Sequence, residues 1–581
     1  MASGGHPQTP GLVHGGNLAA AALQEAGVDV VFTLSGGHIF PLYDGCVAAG
    51  IRLVDTRHEQ TAGFAAEGWA KVTRRPGVAA LTAGPGVTNG VSAITSAFFC
   101  GSPLVVIGGR APAARWGSGS LQEVDHVPIV AEVTKRATTA ATTGDIEAEV
   151  AAALAAATAA PRGPCFVDIP VDQFFDKAPR GGQDAAGSAG AVGGDAAAGR
   201  APDPDALRRV AKLLADAERP VIMAGAGVYW ERAESSLREL AEAAAVPVLM
   251  NGLGRGTLPA SHPLAFSRAR STALRDADLV VAAGVPLDFR LGFGTFGRRT
   301  GGVPPTTAAG AAKDSGARVV HLVEHPSLIA SHVELAGAAA GDLSAVFAGI
   351  VASGVEPVDG GGRKEWLARL TTDESARREK EQETLRSTAD PIHPARIYGE
   401  LRDRMEPDAV VVVDGGDFGS YAGKFVDSET PGSFLDPGPY GCLGTGPGYS
   451  LAARLAAQAE GRPDRQVFLM LGDGAAGFSL MDFDTLVRHE APVVAIVGNN
   501  GIWGLEKHPM RALYGYDVVA ELRPGTRYDQ VVAALGGHGE LVTDPAEIGP
   551  AIDRALASGV PALVNVLTDP ADVYPRSSAL V

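Results

Sequence analysis

Short, almost wholly apolar runs recur along the chain, and each is followed by a stretch with helical spacing. Runs of four to eight apolar residues are typical of strands buried on both faces of a sheet, and their alternation with helices is typical of parallel sheets. In the first third of the chain these runs lie at 28–34, 51–56, 77–83 and 103–109. The pattern therefore predicts a doubly wound parallel sheet.

The same alternation continues beyond two breaks in composition. A Gly/Ala-rich stretch begins near 180, and GVEPVDGGGR follows at 354–363. Between them, strand-like runs lie at 220–225, 246–250, 277–284 and 318–323. At 581 residues the chain is too long for one core. We therefore predict an α/β protein of three doubly wound parallel-sheet domains. The predicted parts are an N-terminal domain 1–180, a linker 181–203, a middle domain 204–353, a linker and helix 354–389, and a C-terminal domain 390–581.

The stretch 466–506 carries the clearest candidate chemistry. The apolar run 466–472 ends in Gly472-Asp473-Gly474, and the run 492–498 ends in Asn499-Asn500. Small residues before a helix let backbone N–H groups approach a phosphate. In a strand–helix–strand unit, Asp473 and Asn500 would lie at the carboxyl ends of neighbouring strands, where ligands bind. A carboxylate and an amide oxygen suit Mg²⁺ held against a diphosphate.

Glu59 is the second candidate, within RHEQTAGFAAEGWA at a predicted strand–helix junction. From that position a carboxylate can reach a ligand at the carboxyl edge of the sheet. The alternative is an ordinary helix N-terminal glutamate, which the helix dipole favours.

Charge and composition exclude some partners. The net charge of −17 argues against nucleic acid, and no run of 18 apolar residues indicates a membrane span. The N-terminus has no basic region followed by an apolar run, and the four scattered cysteines contain no CxxC pair. We expect a cytoplasmic protein that acts on small molecules.

The spaced GDG and NN resemble the thiamine diphosphate motif, and HEQTAGFAAEGWA resembles the first-domain motif of acetolactate synthase-like enzymes. This resemblance, which spans residues 28 to about 570, implies pyrimidine-binding, middle and diphosphate-binding domains. It implies that Asp473, Asn500 and the carbonyl of Ile502 hold Mg²⁺. It also implies that Glu59 acts on N1′ of a cofactor held by another subunit, so we expect at least a homodimer, and a homotetramer.

Further cofactor contacts follow from the same resemblance. GPGVTNG at 84–90 resembles a turn that lines the cleft, and PYGCLGTGPGYS at 439–450 resembles the segment whose large residue bends the cofactor into a V, here Leu443. Gly441 would accept from the 4′-amino group. The full set of implied cofactor contacts is Gly36, Gly37, Glu59, Pro85, Asn89, Gly416, Asp417, Phe418, Gly441, Leu443, Gly472, Asp473, Gly474, Ala475, Asn500, Ile502 and Trp503.

After Asn500 the chain departs from the acetolactate synthase pattern. GIWGLEKHPM at 501–510 resembles bacterial 2-hydroxyacyl-CoA lyases of the 2-hydroxyisobutyryl-CoA type. This predicts cleavage of a short 2-hydroxyacyl-CoA to formyl-CoA and an aldehyde or ketone, with Glu506 as the base and Gln122 and His38 at the substrate. The alternatives are an acetolactate synthase acting on pyruvate and a catalytically silent nucleotide-binding paralogue.

The middle domain carries weaker signals of a nucleotide. Gly225 follows a predicted strand, and Arg268, Arg270 and Arg290 could bind phosphates. The alternative is that these are surface arginines. The acidic strand end that accompanies FAD in the family is replaced by LVEH at 322–325, so we expect ADP or CoA rather than FAD.

Overall fold

The structure is a computed structural model that describes residues 11–180, 201–297, 316–357 and 360–574. Contacts divide the chain into two compact units. Unit 1 comprises 1–194, 440–456 and 479–491, and unit 2 comprises 195–439, 457–478 and 492–581. Within the described residues no helix is both long and apolar enough to cross a membrane.

The first sheet has six parallel strands and lies in unit 1. Its spatial order is Arg52–Asp55, Val30–Thr33, Gly77–Leu81, Leu104–Arg110, Cys165–Pro170 and Arg136–Thr139. The strands Leu12–His14 and Lys177–Pro179 precede and follow this sheet in the sequence, and they form a separate antiparallel pair. The helices of this region are Gly15–Glu25, Phe40–Ala49, Glu59–Thr73, Pro85–Cys100, Val127–Val130, Ile146–Thr158 and Val171–Phe175.

The second sheet has five parallel strands and lies in unit 2. Alternate residues of its strand Pro220–Ala224 enter different hydrophobic clusters, Ile222 on one face and Met223 on the other, so both faces are covered. The strand order is Val248–Met250, Pro220–Ala224, Leu279–Ala283, Arg318–Val323 and Gly337–Ala340. The helices are Pro204–Asp216, Ala226–Trp230, Glu234–Ala244, Arg270–Asp276, Leu343–Ala352 and Gly360–Leu385.

The third sheet again has six parallel strands and repeats the strand order of the first. Its spatial order is Phe434–Leu435, Val410–Asp414, Val467–Gly472, Val494–Asn499, Ala562–Leu567 and His538–Val542. The helices of this part of the chain are Ala395–Arg402, Gly416–Phe425, Gly446–Ala459, Asp473–Ser479, Phe483–Arg488, Gly504–Tyr514, Tyr528–Ala534 and Ile548–Ala557. Of these, Phe483–Arg488 and most of Gly446–Ala459 belong to unit 1.

The predicted fold class is confirmed, because all three sheets are parallel and alternate with helices. The two six-stranded sheets share the order 2-1-3-4-6-5 when each is numbered from its own first strand. In such a sheet the strand order reverses between strands 1 and 3, and the crevice outside their carboxyl ends is the favoured ligand site.

Candidate functional site

A cavity of about 630 Å³ in unit 1 lies at this reversal point of the first sheet. The two strands that flank the reversal are Val30–Thr33 and Gly77–Leu81, and their following turns carry Gly36 and Pro85. A Cβ on Gly36 would meet the Thr82 side chain at 2.2 Å, so the two turns approach too closely for any other residue. Of the predicted site residues, the cavity is lined by Gly36, Gly37, His38, Glu59, Pro85 and Gln122.

Glu59 is the first residue of the helix Glu59–Thr73 and is 9% exposed. The preceding His58 caps this helix, since its Nδ1 accepts from the Gln60 N–H at 3.1 Å. Asn89 Nδ2 donates to Glu59 Oε2 at 3.1 Å. The structure therefore brings Asn89 and Glu59 together and orients the carboxylate by a direct hydrogen bond.

His38 and Gln122 also line this cavity. Burial lowers the pKa of His38, a backbone hydrogen bond at Leu121 opposes this, and His126 adds to the lowering. The ring is therefore mainly uncharged at neutral pH and can donate or accept a hydrogen bond. Gln122 has a positive φ of 58°, and a Cβ on Gly84 would lie 2.8 Å from the Gln122 Cβ.

A buried pair that the sequence analysis missed holds the Gly84 turn. His126 Nε2 accepts from the Gly84 N–H at 2.9 Å, and its Nδ1 lies 3.0 Å from Asp168 Oδ1. Both side chains are fully buried. Asp168 also accepts from Arg110 at 2.7 Å. A charged residue inside the apolar run CFVDIP at 165–170 is the signal that could have identified this network.

Gly441 and Leu443 belong to unit 1 as well. Gly441 lies in an exposed turn with φ of 74°. Leu443 is half-buried, and its carbonyl accepts from Gln60 Nε2 at 3.4 Å. Gln60, the residue that follows Glu59, thus links the segment that carries Leu443 to the start of the helix Glu59–Thr73.

A second set of candidates lies in unit 2, at the reversal point of the third sheet. Strands Val410–Asp414 and Val467–Gly472 pair there, and Val494–Asn499 pairs with the latter. The prediction that Asp473 and Asn500 follow neighbouring parallel strands agrees with this pairing. The strand ends, the turns that follow them and the first residues of the next helices carry Gly416, Asp417, Phe418, Gly472, Asp473, Gly474, Ala475, Asn500, Ile502 and Trp503.

Asp473 joins two of these turns. Its Oδ2 accepts from the Gly501 N–H at 2.7 Å and its Oδ1 from the Gly474 N–H at 3.0 Å. Burial raises the pKa of Asp473 to about 6, although the backbone N–H groups of Gly501 and Gly474 oppose the shift. A cation at this carboxylate would reverse the effect of burial.

The oxygen atoms around Asp473 fit the predicted Mg²⁺. Asp473 offers a carboxylate, Asn500 an amide oxygen and Ile502 a backbone carbonyl, which are the hard ligands that Mg²⁺ prefers. Asn500 Oδ1 accepts from the Ile502 N–H at 3.2 Å, which fixes the turn between them. No cluster of three His, Cys, Asp or Glu side chains suited to a metal occurs in the described ranges, as expected for a set with one carboxylate.

Packing explains the small residues of these turns. A Cβ on Gly474 would meet the Trp503 ring at 2.5 Å, and one on Gly498 would meet the Phe418 ring at 2.4 Å. Gly416, with φ of 77°, has open space where its Cβ would lie. Gly474 is therefore required by Trp503, whereas Gly416 leaves room for a ligand beside the backbone.

Glu506 lies in the first turn of the helix Gly504–Tyr514 and is exposed. Its neighbour Lys507 is buried and pairs with Asp517 at 3.4 Å and with Glu521. The same helix packs close to Asp417, because a Cβ on Gly504 would lie 2.8 Å from Asp417 Oδ2.

The three arginines predicted in the middle domain line one cavity of about 630 Å³ in unit 2. Arg268 is paired with Glu381 at 3.1 Å and with Asp427. Arg290 is paired with Asp288 at 2.7 Å. Arg270 donates to Met223 Sδ at 3.4 Å.

Arg270 differs from the other two in its charge environment. Within the described part of the chain, no carboxylate lies within ion-pair distance of Arg270. Burial lowers its pKa to about 10, and the charges of Arg255 and Arg290 add to the shift.

Gly225 is required by packing between two strand ends. A Cβ there would meet Val285 Cβ at 2.5 Å and the Gly284 carbonyl at 2.6 Å. This close approach accounts for the glycine without a ligand.

Family models match all three parts of the chain. Residues 13–129 match the thiamine pyrophosphate enzyme, N-terminal TPP binding domain, residues 207–350 the central domain, and residues 414–566 the C-terminal TPP binding domain. Thiamine pyrophosphate and thiamine diphosphate are the same cofactor. The chain belongs to the thiamine pyrophosphate enzyme family.

Curated relatives of the chain carry the names of two different enzymes. The chain is 56% identical over 568 residues to the acetolactate synthase large subunit IlvG of Mycobacterium tuberculosis, covering 98% of both chains. It is 32% identical over 607 residues to 2-hydroxyacyl-CoA lyase 2 of Homo sapiens, covering 98% of this chain and 92% of that protein. The lyase of Bos taurus gives the same values.

These identities correct the predicted reaction. The interpretation of GIWGLEKHPM as the mark of a 2-hydroxyacyl-CoA lyase is wrong, because the acetolactate synthase shares 56% of residues and the lyases 32%. The role predicted for Glu506 in releasing formyl-CoA depended on that reaction. Ten residues after a shared motif were a weaker guide than identity over the whole chain.

Proposed function

We propose that this protein is an acetolactate synthase, which removes CO₂ from pyruvate and joins the remaining two-carbon unit to a second 2-ketoacid. The observation that carries the proposal is the 56% identity, over 98% of both chains, to the acetolactate synthase large subunit of Mycobacterium tuberculosis. The two sets of site residues, each at a reversal point of a parallel sheet, support it.

We assign cofactor binding to unit 2. Asp473, Asn500 and the Ile502 carbonyl would hold Mg²⁺, which would neutralise the cofactor's diphosphate. The backbone turns at 416–418 and 472–475 would lie against the phosphates. The bound cofactor supplies a nucleophilic carbon for the ketone and an electron sink for the electron pair left by CO₂.

Unit 1 would supply the proton chemistry. Glu59 would exchange a proton with N1′ of the pyrimidine, with Asn89 holding its Oε2. His38, neutral because burial lowers its pKa, would donate a hydrogen bond to the substrate's ketone or carboxylate oxygen. Gln122 would contact the second ketoacid from the same cavity, and Leu443 would support the bent cofactor.

The direct test supplies the purified protein with thiamine diphosphate, Mg²⁺ and pyruvate. Acetolactate and CO₂ in a one-to-one ratio would support the proposal. Tight cofactor binding without release of CO₂ would overturn it and favour a catalytically silent paralogue.

We further propose that the middle-domain cavity binds the phosphates of ADP or CoA, and that Arg270 supplies the charge. The support is the absence of a carboxylate partner for this partly buried cation among the described residues. Calorimetric titration with ADP and with CoA should show binding that Arg270→Met weakens by about tenfold or more. Arg275→Met is the matched control, because Arg275 is on the same helix, 54% exposed and paired with Asp276. Equal affinity in both variants would contradict the assignment.

The assembly is also a proposal. The family resemblance implies that Glu59 of one copy serves the cofactor held by another, so we propose a homodimer as the smallest active form and a homotetramer in solution. Sedimentation at activity-assay concentrations would test this, and an active monomer would contradict it.

A further inference from the structure

Asp482 is a buried carboxylate that accepts hydrogen bonds from residues on both sides of Glu59. It is 2% exposed and lies in the segment 479–491, which belongs to the same compact unit as Glu59. Its Oδ1 accepts from the Arg57 N–H at 2.8 Å, and its Oδ2 accepts from the Thr61 hydroxyl at 2.6 Å. The two donors stand two residues before and two residues after Glu59.

The carboxylate is fixed from its own side as well. The Thr485 hydroxyl, three residues on, donates to Asp482 Oδ1 at 3.0 Å. A buried charge is costly unless it is hydrogen-bonded, and three donors satisfy this one. These hydrogen bonds fix the position of the Asp482 carboxylate. Its two oxygens in turn fix the distance between the Arg57 N–H and the Thr61 hydroxyl.

The hydrogen bonds of Asp482 to Arg57 and Thr61 fix the backbone on both sides of Glu59. Thr61 is 3% exposed and lies in the first turn of the helix that begins at Glu59. Arg57 lies between the strand Arg52–Asp55 and that helix. With the residues on both sides held by one carboxylate, the Glu59 backbone cannot shift along the helix axis without breaking a hydrogen bond to Asp482.

We propose that Asp482 is a positioning residue that acts through Arg57 and Thr61 to hold Glu59 where it exchanges its proton. The inference rests on the proposed function, because it requires Glu59 to activate the cofactor. A displacement of a catalytic group by about 1 Å can cost about 100-fold in rate.

The test compares Thr61→Val with Thr61→Ser in the full-length protein loaded with thiamine diphosphate and Mg²⁺. Valine has the shape of threonine but no hydroxyl, whereas serine keeps the hydroxyl. We expect Thr61→Val to slow exchange of the cofactor's C2 proton and to lower kcat by about tenfold. Cofactor affinity and KM for pyruvate should stay within about twofold of the wild type, because neither binding surface changes. Thr61→Ser should restore most of the rate.

Asp482→Asn is the second variant, and it should slow exchange to a similar extent because an amide accepts at only one of its two atoms. Asp216→Asn, at the end of the helix Pro204–Asp216, is the control. Asp216 is 39% exposed and pairs with Lys212 at 2.9 Å, so its loss should leave exchange unchanged. Thermal unfolding midpoints of all variants would show whether a slow variant has lost its fold.

The outcomes separate the two proposals. Wild-type exchange in Thr61→Val and Asp482→Asn, with exchange abolished in Glu59→Gln, would overturn the positioning role and leave the proposed function intact. Equal losses in Thr61→Val and Thr61→Ser would also overturn it, because packing would then explain the effect. Wild-type exchange in Glu59→Gln would remove the basis of both.

Discussion

At the scale of single residues, the two carboxylates central to the proposed reaction occupy equivalent positions. Glu59 and Asp473 are each the first residue of a helix that follows a parallel strand. The N-terminus of each helix places positive partial charge beside the carboxylate. Their partners differ, because Asn89 donates to Glu59 and backbone N–H groups donate to Asp473.

Replacing Asp473 with asparagine should weaken binding of thiamine diphosphate with Mg²⁺ by about 100-fold. The amide removes the only charged ligand, and it places an N–H₂ donor where the Gly501 or Gly474 N–H now donates. Calorimetric titration of the cofactor at fixed Mg²⁺ measures the change. Asp464→Asn, on an exposed loop, is the control. Affinity unchanged in Asp473→Asn would contradict the assigned metal site.

The adjacent asparagines show what the sequence could and could not predict at this scale. The motif predicts a role for Asn500, and the structure puts it in the turn with Ile502. Asn499 is 3% exposed, and its Nδ2 donates to Asn565 Oδ1 at 3.1 Å and to the Thr526 carbonyl. That role was not predictable, because its partners lie on segments far along the chain.

At the scale of elements, the helix Glu59–Thr73 is anchored at its far end by a buried ion pair. Lys71 Nζ lies 3.0 Å from Glu67 Oε1 and donates to Tyr449 Oη at 2.8 Å, and Tyr449 donates to Glu67 Oε2 at 2.7 Å. All three residues are at most 1% exposed. The Lys71–Glu67–Tyr449 group joins this helix to Gly446–Ala459, the helix that follows the turn with Leu443.

Lys71→Met should lower the free energy of unfolding by about 3–5 kcal/mol, because it leaves the Glu67 carboxylate buried without its cation. Denaturant unfolding followed by circular dichroism measures this. The double variant Lys71→Met with Glu67→Gln should recover much of the loss, since no buried charge remains. Lys424→Met is the control, because Lys424 is 41% exposed. A Lys71→Met variant as stable as the wild type would show that the buried ion pair does not stabilise the fold.

Most of the elements near the site follow from the apolar runs, and those that do not follow have a physical reason. The run at 466–472 corresponds to the strand Val467–Gly472, and the run at 77–83 to Gly77–Leu81. The strands Cys165–Pro170 and Arg136–Thr139 were not predicted. The first contains the charged Asp168, and the second, RATT, is only partly buried. Tertiary pairing, rather than local pattern, makes both of them strands.

At the scale of the whole molecule, the sequence predicted the class of enzyme better than the reaction. The motifs that define the cofactor lie at the sheet reversal points, where any enzyme of this class needs them. The choice of substrate depends on residues of the cavity that no short motif records. A short motif also does not record hydrogen bonds between distant parts of the chain. Asp482 accepts from Thr61 and His126 accepts from Gly84, and each pair is at least 42 positions apart.

In the proposed enzyme, Glu59 of one copy and Asp473 of another act at one site on pyruvate. The measurement is acetolactate formation by Glu59→Gln and Asp473→Asn, each alone and co-expressed with separate affinity tags. Each variant alone should be inactive. In a mixed dimer one of the two sites keeps both wild-type residues, so random pairing should restore roughly a quarter of wild-type activity. No activity in doubly purified mixed dimers would contradict the claim, because it would place both carboxylates at a site within one chain.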